Sequence, residues 1–478
     1  MVYKEKTFFK NLLSKSSIIA SLKLEGKYLE RFYELLECEY LVKNTPGYVN
    51  SRYENINSSF LKLLIVTLGA FLSILQWPFY NHKVRYKTTR FNKLVFVPFA
   101  GYIIRYRDVF SITDRAISVV YPPIFHYNKL NNHIKHFNQI KKPITIGCFN
   151  FIDLVIVFFT VLFHIYDLTM LEKRINHHYN LSEHKIIVLI FQFFIYSRYF
   201  KRLLKRTDDN ARIWFFDYDL DAKYISFNYQ LHIQKSLDKS VHMQHGIFHE
   251  ADMAYSNVIA DFDFCCSNRE KRIIEGGNNL YNSHILVQGC PLQSLHVLSQ
   301  KSDKKYKLLM LLSSTDIDEI CKLQIFLLKF FNYMKENVII RYRPASRHID
   351  EKVLKEYTVG YNVSKDTTLE EDVKSANCVI SFSEDSVFSC FRNSTKLILF
   401  ISDRMYDIYK AINGNSPNMM VCSTSHCDEN LLRKIADTEE HCDYLHDDVV
   451  IDNFGVFTIA AYREQFENNL KTIEYASC

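Results

Sequence analysis

Short apolar runs alternate regularly with helix-length segments between residues 211 and 402 of this chain. The apolar run Ile213–Phe216 ends at Asp217, a helical pattern covers residues 222–237, and residues 240–243 form the next apolar run. Strands that alternate with helices at this pace pair in parallel, because each helix carries the chain back to the same edge of the sheet. The sequence therefore predicts an α/β fold.

The alternation occurs in two series, separated by a polar stretch at residues 299–305 that contains three lysines. The predicted strands are residues 94–97, 144–149, 213–216, 240–243, 262–266 and 285–287, followed by 308–312, 338–340, 379–380 and 397–400. Residues 1–90 carry apolar positions at three- and four-residue spacing, which predicts helices. We therefore expect two Rossmann-like doubly wound domains facing a cleft, with a helical N-terminal extension. The predicted boundaries are 1–90 for the extension, 91–298 for the first domain and 299–478 for the second.

Charge and cysteine usage narrow the class of protein. The 478 residues include 59 Lys and Arg against 53 Asp and Glu, a formal charge of +6. This mild excess does not indicate a nucleic-acid binder, and it suits an anionic substrate or an anionic membrane surface. The 12 cysteines are scattered without a C-x-x-C pair, and the lysine-rich start is not followed by the apolar core of a signal peptide. These features predict a cytoplasmic protein with reduced thiols.

Three apolar segments raise the question of membrane attachment, namely residues 63–75, 154–163 and 186–196. Each is shorter than the ~18 to 20 residues of a spanning helix, so we expect buried strands or core helices. The alternative is attachment to the membrane face. A basic run directly after the third segment supports that alternative, and it consists of Arg198, Lys201, Arg202, Lys205 and Arg206.

Polar residues that follow the predicted strands are the candidates for chemistry, because ligands of open parallel sheets bind beyond the carboxyl ends of the strands. Gln244-His245-Gly246 follows one strand. His245 titrates near neutrality and can take a proton from an attacking hydroxyl, and Glu250 can orient it or act in its place. The alternative is a loop histidine with a structural hydrogen bond.

Two arginines and a serine, Arg341, Arg343 and Ser346, follow another strand. Arginines two residues apart on an extended segment point to one side, which suits the oxygens of a diphosphate. The alternative is a surface ion-pair cluster with Asp350 and Glu351.

A serine-rich segment, Ser381-Phe382-Ser383-Glu384-Asp385-Ser386, stands where a strand becomes a helix. Ser381, Ser383 and Ser386 can present hydroxyl and backbone N–H groups to a phosphate, and Glu384 can bind a ribose hydroxyl. The alternative is a capping box formed by Ser381 and Glu384, which have the required spacing.

The segment Asp217-Tyr218-Asp219 has the D-x-D spacing with which some transferases hold a divalent cation. Chance matches to this pattern are common, and Asp261-Phe262-Asp263 is a second one in this chain. A metal role for Asp217 and Asp219 is therefore a minor alternative.

Residues 211–402 resemble the core of GT-B-fold enzymes of capsule, O-antigen and teichoic-acid synthesis, a group that includes the CDP-glycerol glycerophosphotransferases. The resemblance rests on the order of five motifs: Gln244-His245-Gly246, Asp261 with its strand, Val287-Gln288-Gly289-Cys290-Pro291, Ile340-Arg341-Tyr342-Arg343-Pro344, and the serine-rich segment. Two positions depart from the pattern. Arg343-Pro344 stands where relatives carry His-Pro, and Phe388-Ser389-Cys390 stands where relatives often carry a helical Glu.

This resemblance implies a bacterial glycosyltransferase of the GT-B type. The second domain would hold a nucleotide-activated donor, and the first would present a saccharide or lipid-linked saccharide acceptor. His245 would be the base of an inverting reaction. Arg343 and the helix after Ser383 would stabilise the departing phosphate without a metal, and no cofactor is expected. The alternatives are a metal-dependent transferase using Asp217 and Asp219, and a non-catalytic scaffold of a polysaccharide assembly complex. No nucleic-acid partner is expected.

Overall fold

The described parts of the chain form two compact units, each built around its own sheet. The computed structural model describes residues 16–24, 27–41, 59–76, 91–97, 113–123, 144–147, 149–179, 186–205, 210–217, 221–235, 237–244, 258–276, 283–289, 304–312, 318–342, 356–365, 367–382, 386–401, 403, 406, 409–413, 415–423, 425–427, 429–436, 442, 444, 447–455 and 458–476. Unit 1 comprises Met1–Cys265, Arg272–Leu286 and Glu467–Cys478, and unit 2 comprises Cys266–Lys271 and Val287–Phe466.

The sheet of unit 1, sheet 1, has seven strands in the order β3-β2-β1-β4-β5-β6-β7. Their bounds are β1 Leu94–Val97, β2 Ile117–Tyr121, β3 Ile144–Ile146, β4 Ile213–Phe216, β5 Lys239–Met243, β6 Phe262–Cys265 and β7 His284–Val287. The sheet of unit 2, sheet 2, has six strands in the order β10-β9-β8-β11-β12-β13. Their bounds are β8 Tyr306–Leu312, β9 Val338–Tyr342, β10 Asn362–Val363, β11 Ala376–Ser381, β12 Lys396–Phe400 and β13 Met419–Cys422.

Both sheets have the strand order of a Rossmann fold. Numbered within its own sheet, sheet 2 reads 3-2-1-4-5-6 and sheet 1 reads 3-2-1-4-5-6-7, and the pairings from β3 to β6 and from β10 to β13 are parallel. The strand order reverses between β1 and β4 in sheet 1 and between β8 and β11 in sheet 2. Ligands of doubly wound sheets bind at such reversals, beyond the carboxyl ends of the strands. The predicted fold class, with two Rossmann-like domains, is confirmed.

The strands form where the sequence offers short, continuous apolar runs. Every residue of β1, β2 and β4 is buried, as expected for a parallel sheet that is covered on both faces. Strands β1 and β4 have the predicted bounds, whereas β2, β10 and β13 have no counterpart among the predicted strands. Strand β10 is only two residues long, which is too short for a periodic pattern.

Helices connect the strands and also form the described part of residues 1–90. Their bounds are α1 Ser17–Ser21, α2 Lys27–Leu41, α3 Ser59–Gln76, α4 Phe151–Phe163, α5 Ile165–Tyr179, α6 Ile186–Lys205, α7 Ala222–Gln234, α8 Asn268–Gly276, α9 Asp318–Phe330, α10 Leu369–Ser375, α11 Val387–Arg392, α12 Glu429–Ala436, α13 Asp448–Phe454 and α14 Ile459–Tyr475. Two 3₁₀ segments are Phe331–Asn337 and Lys410–Ile412.

The three apolar segments of the sequence are the helices α3, α4 and α6. The expectation of a core element is confirmed for α6, in which 11 residues are buried. It is wrong for one face of α3 and of α4, where large apolar side chains are exposed. Among the described helices, none is long and apolar enough to cross a membrane alone. Helix α4 and the following segment Ile165–His177 are long and apolar enough when taken together, but the two are bent by 61° relative to each other.

Helix α14 belongs to both units, since its residues up to Phe466 fall in unit 2 and those from Glu467 onward fall in unit 1. Within unit 1, Arg115 donates to Glu467 at 3.1 Å and to Glu474 at 2.9 Å. These ion pairs attach the end of the helix to the segment that leads into β2.

Candidate functional site

The reversal of strand order in sheet 2 brings together two residues that lie 40 positions apart in the sequence. Leu311 of β8 is in register with Arg341 of β9 on one side and with Ser381 of β11 on the other. Two strand spacings therefore separate Arg341 from Ser381, roughly 10 Å between their backbones. Both stand at or next to the carboxyl end of their strand, where a ligand of such a sheet binds.

Arg341 is already engaged in a polar network. Its Nη1 atom donates to Asp372 Oδ2 at 2.6 Å, to Ser364 Oγ at 3.1 Å and to the Thr367 carbonyl at 2.8 Å. The Asp372 carboxylate is buried and also accepts from both hydroxyls, from Ser364 at 2.6 Å and from Thr367 at 2.5 Å. This network holds one end of the guanidinium. Among the described residues, Nε and Nη2 of Arg341 make no hydrogen bond.

The serine-rich segment does not form the capping box that we considered as its alternative. Helix α11 begins at Val387, and its N-cap residue is Ser386, whose side chain makes no capping hydrogen bond. Ser381 is instead the last residue of β11 and is buried. The capping-box interpretation of Ser381 and Glu384 is therefore wrong, because the helix begins six residues after Ser381, and Ser386 is its N-cap residue.

A carboxylate does reach α11, although the helix itself contains none. Glu370, in the first turn of α10, accepts from Ser389 Oγ at 2.7 Å and from Asn393 Nδ2 at 2.8 Å, and it forms an ion pair with Arg392. These contacts join α10 to α11. No local sequence pattern indicates these contacts, because strand β11 separates Glu370 from α11 in the chain.

A polar cluster that the sequence did not indicate lies after β12 and β13. Asp403 accepts from the Ser425 backbone N–H at 3.1 Å and from the Ser425 hydroxyl at 2.6 Å. Hydrogen bonds from Ser423 and Ser425 lower the pKa of Asp403 to about 2. His426 Nδ1 lies 3.0 Å from Ser423 Oγ, and its ring stacks on Tyr406 with centroids 4.1 Å apart. The cluster adds an ionised carboxylate and an imidazole to this edge of sheet 2.

At the reversal in sheet 1, Asp217 follows β4 and is buried. The Tyr224 hydroxyl donates to Asp217 Oδ1 at 3.3 Å and to the Val97 carbonyl at the end of β1, 3.1 Å away. Burial, followed by the nearby charge of Asp217, raises the pKa of Tyr224 well above its ordinary value. Tyr224 thus joins the two strands at the point where their order reverses.

Asp221 and Lys223 continue this buried polar group at the start of α7. Asp221 is the N-cap residue, and its carboxylate accepts from the Lys223 backbone N–H at 2.7 Å. The Lys223 ammonium lies 4.5 Å from the centre of the Tyr224 ring. Burial lowers the pKa of Lys223, and the charges of Asp221 and Asp217 partly oppose this shift. Asp221 therefore has a structural role at the helix start.

A buried histidine–aspartate pair lies close to the carboxyl end of β5. His242 Nδ1 is 2.7 Å from Asp263 Oδ1, and the two residues face each other in register across β5 and β6. Both side chains are almost fully buried, at 7% and 0% exposure. In the sequence, Asp263 stands only in a chance D-x-D match, and His242 lies inside the predicted strand 240–243. The sequence signal for this pair is a histidine and an aspartate inside two otherwise apolar strands that follow one another in the chain.

Several of the predicted site residues lie outside the part of the chain that the structure describes. These are His245, Glu250, Arg343, Ser383, Glu384 and Asp219, together with Ser346, Asp350 and Glu351. Gln244, immediately before His245, is described. It is buried at the end of β5, and its backbone N–H donates to the Phe264 carbonyl at 3.1 Å.

Within the described residues, no group of three or more His, Cys, Asp or Glu side chains is arranged to hold a metal ion. The described carboxylate of the D-x-D segment, Asp217, is bonded to Tyr224.

Fold and strand-end residues together define an α/β protein of two Rossmann-like units.

No family model matches the chain, and no curated protein matches it. Among solved structures, a glycosyltransferase from Rickettsia africae is 12% identical with a TM-score of 0.48, covering 81% of this chain and 99% of that one. The UDP-GlcNAc 2-epimerase of Methanocaldococcus jannaschii is 10% identical with a TM-score of 0.46, covering 79% and 99%. A glycotransferase of kitacinnamycin is 7% identical with a TM-score of 0.43, covering 79% and 99%.

Proposed function

We propose that this protein transfers a glycosyl or polyol-phosphate group from a nucleotide-activated donor to a bacterial surface polysaccharide or its lipid-linked precursor. The observation that carries the proposal is the register at the reversal of sheet 2. Arg341 and Ser381 flank the end of β8 there, at the edge where a doubly wound sheet binds nucleotides.

The donor diphosphate would bind at this edge. The guanidinium of Arg341 is anchored through Nη1 to Asp372, so its remaining N–H groups are held in a fixed direction at little further entropic cost. Arg343 and the hydroxyl groups of Ser381, Ser383 and Ser386 would complete the phosphate site. Glu384 would bind a ribose hydroxyl.

The acceptor would bind at the carboxyl edge of sheet 1. His245 follows Gln244 at the end of β5 and would take the proton from the acceptor hydroxyl, with Glu250 to orient it or act in its place. The buried pair of His242 and Asp263 would stabilise the strand end that His245 follows in the sequence.

We propose that the transfer needs no metal and no cofactor. Asp217 would have to coordinate a cation in the metal-dependent alternative, yet its side chain is buried and bonded to Tyr224. Charge on the leaving phosphate would be stabilised by the arginines instead. We further propose that the protein is cytoplasmic and acts on the inner face of the plasma membrane, where lipid-linked acceptors are exposed.

A thermal-shift panel with UDP, GDP, CMP, CDP and ADP in EDTA tests the donor site. A nucleotide at a hundredfold excess over its Kd stabilises the protein that binds it by about 2.7 kcal/mol. We expect one nucleotide to shift the wild-type Tm and to leave the Arg343→Ala variant unshifted. If none shifts the wild type with or without manganese, the donor site is absent and the scaffold alternative is favoured.

Arg341→Ala needs a matched control, because it also breaks the ion pair with Asp372 and lowers the Tm without ligand. Arg392→Ala is suitable, since Arg392 is likewise ion-paired to a carboxylate of α10, Glu370, but is the last residue of helix α11 and not part of a strand. We expect the nucleotide-induced shift to persist in Arg392→Ala and to be lost in Arg341→Ala. Equal shifts in both variants would remove Arg341 from the site.

Turnover separates an enzyme from a scaffold. For the donor identified by the panel, we expect nucleotide release in EDTA, and we expect it to fall by 10² or more in His245→Ala while the thermal shift remains. Activity that disappears in EDTA and returns with manganese would instead favour the metal-dependent alternative through Asp217 and Asp219.

A further inference from the structure

The described part of unit 1 carries an unusual concentration of exposed apolar side chains on two neighbouring helices. On α3 the exposed side chains are Phe60, Leu61, Leu64, Leu68 and Leu72. On α4 they are Phe151, Ile152, Val155, Ile156, Phe159 and Phe163. The spacing is that of one face of a helix in both cases. We call these two sets together the apolar surface.

The two helices lie side by side and run in opposite directions. They pack against each other, and the ring of Phe71 near the end of α3 contacts Phe151 at the start of α4, with centroids 6.0 Å apart. At the other end, Ser59 at the start of α3 donates to Glu172 on α5, the helix that follows α4. The two exposed stripes are therefore on adjacent helices of one layer.

The apolar surface is large for a surface exposed to water. Its four phenylalanines are between 48% and 85% exposed and together present about 500 Å², taking about 200 Å² for a phenylalanine side chain. This already reaches the size of the largest apolar patch of a typical monomer, before the aliphatic side chains are counted.

The opposite faces of both helices pack against the core of unit 1. Leu63, Val66 and Ala70 of α3 are buried, as are Val157 and Val161 of α4. Only one side of each helix can therefore contact lipid. The 13 residues of α4 extend about 20 Å, less than the hydrocarbon thickness of about 30 Å. This geometry suits a helix that lies in the membrane interface.

Basic residues of α6 near the apolar surface indicate that its partner is negatively charged. The single acidic residue of α3 and α4 is Asp153, which is buried and paired with Arg198 and Arg202 of α6 at 2.7 and 2.6 Å. These pairs place the basic end of α6 beside the start of α4. Lys201 and Lys205 of that end are exposed. An apolar face bordered by lysines matches a bilayer with anionic headgroups.

We propose that the apolar surface docks this protein onto an anionic lipid bilayer, with Phe159 and Leu68 in the acyl boundary and Lys201 and Lys205 at the headgroups. The inference deepens the localisation proposed above, and it does not depend on the transfer chemistry. Docking by this surface would keep unit 1, which carries the proposed acceptor edge, at the membrane where a lipid-linked acceptor resides.

Co-sedimentation with vesicles tests the proposal, using phosphatidylcholine alone and phosphatidylcholine mixed with phosphatidylglycerol. The stripe variant is Leu68→Glu with Phe159→Glu. The matched control is Ile233→Glu with Leu237→Glu, which changes two exposed apolar residues of the same unit at and beyond the end of α7. We expect the wild type and the control to bind the mixed vesicles, and the partition coefficient of the stripe variant to fall at least about tenfold.

A charge-reversal variant, Lys201→Glu with Lys205→Glu, should lose binding to the mixed vesicles selectively. Fluorescence of the buried Trp214 checks that unit 1 remains folded in each variant. The nucleotide-induced thermal shift of the stripe variant should equal that of the wild type, so a failure of docking and a failure of the donor site give different results.

Two outcomes would overturn the proposal. One is a wild type that stays in the supernatant with both vesicle types, or a stripe variant that binds as the control does. The other is a lipid-free wild-type dimer, seen by light scattering, that becomes monomeric in the stripe variant. That result would assign the apolar surface to a second copy of the chain.

Discussion

The buried pair of His242 and Asp263 allows a quantitative prediction. Asp263 is fully buried, and its Oδ1 atom lies 2.7 Å from His242 Nδ1. His242→Ala removes that partner and leaves the carboxylate in a low-dielectric interior. Breaking a buried pair in this way costs about 3–5 kcal/mol. Asp263→Asn keeps a hydrogen-bonding group of the same shape next to the imidazole, so we expect a smaller cost of about 1–3 kcal/mol.

Urea unfolding followed by tryptophan fluorescence is the assay. The chain has two tryptophans, and a Trp77→Phe background leaves the buried Trp214 of β4 as the reporter of sheet 1. With an m-value of about 2 kcal/mol/M, a loss of about 4 kcal/mol moves the midpoint by about 2 M urea. The double variant should lose about 1–3 kcal/mol less free energy of unfolding than the two single variants lose together.

The control is His284→Ala, which removes an exposed histidine from a neighbouring strand, β7, and should change stability by less than about 0.5 kcal/mol. A midpoint shift in His242→Ala no larger than that in His284→Ala would contradict the expected cost of removing the partner of Asp263. Strictly additive losses in the double variant would show that the two side chains do not interact.

Two further predictions concern the ends of the chain's last helices. Gly455 has φ +84°, and a Cβ there would lie 1.9 Å from the Cys266 carbonyl oxygen, so Gly455→Ala should lower the stability of unit 2 by more than about 3 kcal/mol in calorimetry. Burial would raise the pKa of Glu474, but Lys93 and Arg115 outweigh it and hold the pKa below its ordinary value. Glu474→Gln should therefore cost about 0.5 kcal/mol at neutral pH, and the difference should vanish as the pH falls well below 4.5 in thermal unfolding.

Controls for these two variants come from the same chain. Gly276→Ala places a Cβ where no atom lies within 4 Å, and Glu464→Gln removes an exposed carboxylate from α14. Both should leave the Tm unchanged. A Gly455→Ala protein as stable as Gly276→Ala would contradict the close approach at Cys266. A Glu474→Gln difference that grows on acidification would contradict the sign of the pKa shift.

The class of fold follows from the sequence alone, because the alternation of apolar runs and helical patterns is local. Short apolar runs such as those of β1 and β4, separated by helical patterns, are typical of the buried strands of a parallel sheet. The sequence also indicated which residues stand at the strand ends. His245, Glu250 and Arg343 lie outside the described residues, and their roles remain predictions.

Which of those residues are neighbours was decided by the tertiary structure alone, because register between strands depends on how the whole sheet packs. The pairing of Arg341 and Ser381 across β8 joins positions that no local pattern connects. The same holds for the pair of His242 and Asp263, and for the carboxylate that Glu370 brings to α11. Exposure is likewise a tertiary property. The apolar residues of α3 and α6 look alike in sequence, and only packing shows that α6 is enclosed by other elements while α3 keeps one face exposed.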